Sequence, residues 1–267
     1  MARTLQPYRF KRRPSLSING VVDCVDGKET NLEVLVDGAS GMDYTFVRKN
    51  LSFPKISGKL LFTQDRLRLI DVDAILFNGR LQGSADISLA RKNPVYEASI
   101  RADDVDFESL TKLYCNYADS HGRLGGEYQF SGRGDDPRTM HGHGTVTVLD
   151  GNVFAIPVLG PFSGILNDIV PGMGYNVAHK ASCTFDIRDG VIQTNDFLVR
   201  GQGFSMIGGG RLLFMDDKMD FNIRLNAQGL PGVLLFPVSK LLEYTSDGAM
   251  SKPVWRPKRL PFSHPSA

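Results

Sequence analysis

The 267-residue chain is 42% hydrophobic and 22% charged, with a formal net charge of +2. That balance gives no support to a strong polyanion-binding surface, and the length admits one large all-β domain or two smaller ones. Cys24, Cys115 and Cys183 are odd in number, far apart and without CxxC spacing, which argues against a disulfide framework or zinc site and predicts buried free thiols.

Met1 leads into a basic cluster, Arg9, Lys11, Arg12 and Arg13, read as a solvated arm, with contact to anionic lipid headgroups as the alternative. No apolar leader follows Met1, and no stretch approaches the roughly 20 apolar residues of a membrane-spanning helix. Leu16, Ile18, Val21 and Val22 then mark a first strand with a bulge at Asn19-Gly20. Asp26-Gly27 and Asp37-Gly38 are turn signals on either side of a strand at 31–36. Past Pro54 the pattern gives Leu60 with Phe62, Leu67 with Leu69, and Ile75–Phe77 before Asn78-Gly79. Ala85, Ile87 and Leu89 alternate with Ser84, Asp86 and Ser88, and Tyr96, Ala98 and Ile100 follow.

The period changes at Phe107, Leu110, Leu113 and Tyr114, which recur at helical spacing after a candidate N-cap, Asp106. Strands resume with Tyr128 and Phe130, then with Val146 and Val148 before an Asp150-Gly151 turn. Phe185 and Ile187 alternate up to Asp189-Gly190. Phe197 with Val199, Phe204 with Met206, and Met219, Phe221, Ile223 and Leu225 extend the pattern. Strict two-residue alternation puts these apolar side chains on one face of each strand. Short apolar helices are expected near 107–117, 158–169 and 233–243, each too short to stand alone in water and so laid on the sheet. The expected fold is therefore mainly β: a long curved antiparallel sheet, an open groove or partly closed barrel, with about three short helices.

Candidate chemistry is sparse. His141 and His143 fit a turn-side pair better than a metal site, since no carboxylate or cysteine supports them in sequence. Asp103, Asp104 and Asp106 suit the N-terminus of the following helix, and no EF-hand spacing follows them. Ser163 is not in a nucleophile elbow. Gly208–Gly210 sits inside strand pattern, where a bulge or close backbone approach is expected rather than a phosphate loop. No nucleophile–base–orienter set emerges, and the expectation is a non-enzyme with no cofactor and no metal. Aromatics fall on apolar strand faces without interleaved Lys and Arg, so no nucleic-acid partner is expected.

Several blocks resemble the AsmA-like C-terminal domain of the AsmA, TamB and YhdP family of envelope proteins in diderm bacteria. Gly79–Leu89 resembles its opening strand pair, Val105-Asp-Phe with Leu110 its helix entry, and Gly122–Gly132 its glycine-rich hairpin. His143–Phe162 resembles its glycine strand, turn and apolar helix; Asp189-Gly190, Phe197–Gly201 and Gly208–Phe214 resemble its closing strands. The likeness covers roughly residues 57–245. It implies a division into preceding strands at 1–56, continuous with the main sheet, an AsmA-like β domain at 57–250 and a proline-rich tail at 251–267. It further implies a periplasmic or envelope protein that moves phospholipid or assists outer-membrane assembly, holding acyl chains in a groove that is apolar inside and polar outside. Family members are longer and start with a transmembrane anchor; the abrupt entry into strand pattern here fits a piece from the end of a longer protein or a shortened paralogue.

The expected groove wall is Phe185, Ile187, Phe197, Val199, Phe204, Met206, Met219, Phe221, Ile223 and Leu225. Alternation does not separate a lipid-filled groove from a dry core. The second expectation is a structural or interaction module with a packed core and a sheet edge that pairs with another envelope protein.

Overall fold

The computed structural model describes residues 8–24, 29–38, 41–46, 49–89, 93–115, 120–134, 136–153, 159–162, 164, 178–201, 204–227, 243–250 and 252–258. In chain order the first strands are β1 (Tyr8–Phe10), β2 (Ser15–Val21), β3 (Asn31–Gly38), β4 (Met42–Phe46), β5 (Lys49–Phe53) and β6 (Ile56–Thr63). They are followed by β7 (Arg66–Leu76), β8 (Gly79–Ser88), β9 (Val95–Asp106), α1 (Phe107–Cys115), β10 (Arg123–Arg133) and β11 (His141–Gly151). The remainder are β12 (Ala178–Arg188), β13 (Val191–Gly201), β14 (Phe204–Leu213), β15 (Lys218–Ala227), β16 (Glu243–Ala249) and β17 (Arg256–Pro257).

Fourteen of these strands form one antiparallel sheet in the order β17-β16-β15-β14-β13-β12-β11-β10-β9-β8-β7-β6-β3-β2. The sheet is open, with β2 and β17 at its two edges, so it is not a barrel. The remaining three pair as β1-β4-β5. The strands within 1–56 are thus divided between two sheets rather than all continuing the large one. Met42 and Phe53 of the small sheet pack with Ala74 and Leu76 of β7.

Turn chemistry accounts for much of this order. Phe77 (φ 47°) and Asn78 (φ 63°) make the two-residue connection between Leu76 and Gly79. Asp189 (φ 51°) and Gly190 (φ 74°) do the same between Arg188 and Val191. Both loops place two consecutive residues at positive φ, matching the right-handed strand twist. Two expectations are corrected. Leu67–Leu69 and Ile75 belong to the single strand β7, because Asp71 (φ 50°) absorbs one residue as a bulge between Leu69 and Val72. Asp150-Gly151 ends β11 without making a hairpin: Asp150 has φ 49°, yet Gly151 still pairs with Ala178.

Among the described residues there is one α-helix, α1, where three were expected. Asp106 caps it as expected, its Oδ2 accepting the Ser109 N–H at 3.0 Å. Phe107 turns into the core, and Thr111 donates to the Phe107 carbonyl at 3.1 Å. Of the expected helix at 158–169 only 159–162 and 164 are described; Pro161, Phe162 and Gly164 are helical there, and Leu159 and Phe162 are buried. The expected helix at 233–243 lies, except for Glu243 in β16, outside the described residues.

Candidate lipid-facing surface

Residues directly opposite one another in an antiparallel pair share a face. The register therefore draws one apolar row across twelve strands: Ile18, Val34, Leu60, Leu69, Ala85, Ala98, Phe130, Gly142, Ile187, Ile192, Leu212 and Met219. A parallel row beside it runs Val72, Gly83, Ile100, Tyr128, Gly144 and Phe185. Bulky side chains in these rows lie over glycines on the neighbouring strand. A Cβ on Gly142 would stand 2.9 Å from Phe130 Cβ, and one on Gly144 would stand 2.9 Å from Phe185 Cζ. The rings of Tyr128 and Phe185 are 5.9 Å apart, tilted by 33°. Burial pushes the Tyr128 phenol up to about 12 and raises the Cys183 thiol.

Cover changes along the row. Ile18 is 64% exposed, Leu60, Leu69, Phe130, Ile187 and Ile192 are half-buried, and Met219 is 3% exposed. Over β13–β16 the apolar face is sealed. Phe162 packs edge-on against Tyr244 at 5.4 Å and against Trp255 at 4.7 Å, and Phe221 meets both Phe197 (5.7 Å) and Trp255 (6.5 Å).

The ten expected wall residues therefore divide. Val199, Phe204, Met206, Met219, Phe221, Ile223 and Leu225 are buried in this cluster, and Phe197 packs against it. Phe185 and Ile187 are half-buried on the open part of the sheet, in neither buried cluster. The residue that the pattern missed is Trp255. It is the one tryptophan of the chain, sits in what reads as a proline-rich tail, and its signal was its size rather than any period.

The other face is polar and cross-braced by exposed ion pairs, including Arg211–Asp220 at 3.0 Å, Arg101–Glu127 at 3.0 Å and Lys59–Glu33 at 3.4 Å. Such pairs each contribute little to stability and chiefly favour the register. A cavity of about 730 Å³ spans β7–β12, lined by Leu69, Ala85, Ala98, Phe130, Gly142 and Ile187 of the apolar row together with chain neighbours that include Arg68, Asp86, Glu97, Gln129, His141 and His143.

No family model, characterised protein or solved structure matches this chain. Its chemistry must be read from its own surfaces. Among the described residues no group of three or more His, Cys, Asp or Glu could hold a metal ion. His141 and His143 lie on β11 itself rather than in a turn, and His141 Nε2 approaches Asp189 Oδ1 at 3.3 Å. The aspartates before α1 are structural as well: Asp103 pairs with Arg101 at 3.1 Å and Asp104 with Arg123 at 3.6 Å. Cys24, expected to be buried, is exposed because it follows the outermost strand, β2. No helix among the described residues is long and apolar enough to cross a membrane.

Proposed function

We propose that this protein is a non-enzymatic lipid-binding or lipid-transfer sheet, whose apolar face over β2–β12 holds phospholipid acyl chains. The observation that carries the reading is the unbroken apolar row, half-buried from Val34 to Ile192 and absent from both buried clusters. Covering apolar area with an acyl chain is worth roughly 25 cal/mol per Å², and a contiguous exposed apolar surface is a recognised mark of an interaction site. The wall shifts relative to the sequence expectation: Leu60, Leu69, Phe130, Phe185 and Ile187 carry it, while Phe221 and its neighbours anchor the sheet. The resemblance to AsmA-like domains adds the setting, phospholipid transport or outer-membrane assembly in the periplasm of a diderm bacterium.

A second reading, a structural or interaction module, is favoured by the complete burial of Val199, Phe204 and Met206. Native mass spectrometry and lipid extraction of the chain purified from a bacterial host separate the two. Co-purifying phospholipid that disappears in a Leu69→Asp, Phe130→Asp double variant, with the circular dichroism of strand retained, supports the lipid sheet. A well-folded chain free of lipid overturns it in favour of the module.

A further inference from the structure

The two edges of the large sheet are built differently. β17 has two residues and ends in Pro257, which has no N–H to offer another strand. β2 is the opposite edge, and all seven of its residues are exposed. Ser15–Val21 contains no charge and no proline, and it presents Leu16 at 50% and Ile18 at 64% exposure. An edge of this kind, with every second backbone N–H and C=O turned outward, is a template for another strand, and natural sheets guard against it with the very residues absent here. Among the described residues no strand covers it; β1, just upstream, pairs with β4 in the small sheet.

We propose that the occupant is a second copy of this chain, its β2 antiparallel to the first across a two-fold axis at Ile18. In that register Ile18 meets its own copy, Ser17 meets Asn19, and Leu16 meets Gly20. The last pair repeats the arrangement inside the sheet, where Phe130 lies over Gly142 and Phe221 over Gly210. Continued past the strand, the same register sets the exposed Arg13 opposite Asp23, giving the contact complementary charges at both ends. A slip of one residue turns Leu16 and Ile18 toward the polar face of the partner, and a slip of two parts Arg13 from Asp23. The two-fold contact also joins the apolar faces, since Ile18 and Leu16 share the face of Val34 and Val36.

The test is the mass of the full chain by light scattering, with β2 variants. The expected result is twice the monomer mass, falling to monomer in Ile18→Lys. That variant changes a residue already open to solvent, and its circular dichroism shows whether the fold is kept. In a Cys24→Ser background, Ile18→Cys oxidises to a covalent dimer, since opposed Cα atoms stand ~4.5–5.5 Å apart, within disulfide reach. Val21→Cys does not, because the two copies of residue 21 then lie roughly 20 Å apart along the strand. A chain that is monomeric at its highest soluble concentration overturns the proposal. So does a dimer that survives Ile18→Lys without cross-linking through Cys at 18, or a monomer whose β2 is protected only by anionic vesicles.

Discussion

Gly210 stands directly opposite Phe221, and the phenyl ring occupies the space where a side chain at 210 would go. A Cβ built there would lie 2.8 Å from Phe221 Cδ2 and 2.2 Å from the Asp220 carbonyl oxygen. The glycine at 210 is thus required by close approach within a strand, as expected for Gly208–Gly210. Gly210→Val is expected to destabilise the chain by about 1–3 kcal/mol through overpacking, read from urea denaturation.

Phe221 itself is 5% exposed and touches Trp255 edge-on. Phe221→Ala should cost about 3–5 kcal/mol and alter the near-ultraviolet dichroism of the single tryptophan. Phe130→Ala, at a half-buried position, should cost less and leave that band unchanged. Equal losses at both positions would contradict the division of the apolar face into sealed and open parts.

The bulge in β13 leaves the Thr184 N–H without a ladder partner, and Asp196 fills in. Its Oδ1 accepts that N–H at 2.8 Å and its Oδ2 accepts the Thr184 hydroxyl at 2.8 Å. Burial opposes the charge, but these bonds and one from Thr194 hold the carboxyl below its ordinary value of 3.8. The stabilisation is complete above that ordinary value and is lost as pH falls through the lowered one. Asp196→Ala should therefore destabilise most at neutral pH and least in strong acid, measured as unfolding free energy against pH.

At the alkaline end Tyr128 sets the trend. Its phenol is raised from 10.0 to about 12, chiefly by burial, so the folded state keeps a proton that the unfolded state gives up. Stability present below pH 10 should decline as pH rises toward about 12. Tyr128→Phe should flatten that decline, while ultraviolet titration of the parent should show Tyr128 ionising later than an exposed tyrosine, with Tyr114 also raised by burial.

Ser246 lies opposite Phe221 with its hydroxyl oxygen buried and unbonded among the described residues. An unsatisfied buried hydroxyl costs about 1–3 kcal/mol. Ser246→Ala is expected to raise the thermal midpoint, and a fall would reveal a partner for that hydroxyl.

Period-two alternation and the Asp189-Gly190 turn were readable in the residues, because both depend on neighbours in the chain, whereas the turn expected at Asn78-Gly79 falls one residue earlier, at Phe77-Asn78. Asp150 misled because a residue at positive φ inside a strand looks, in sequence, like the start of a turn. Burial was the harder matter. Phe130 and Phe221 sit in equivalent alternating patterns, yet Phe221 alone meets Trp255, brought from more than thirty positions along the chain. Which part of the apolar face is covered is a tertiary property that no local pattern contains.

From β7 to β17 every strand pairs only with the strands before and after it in the chain. Removing or duplicating one hairpin would narrow or widen such a sheet without changing the order in which the other strands pair, as in repeat proteins whose units touch only their neighbours. The width of the molecule is therefore an adjustable trait, open to gradual evolutionary change and to engineering by whole-hairpin insertion.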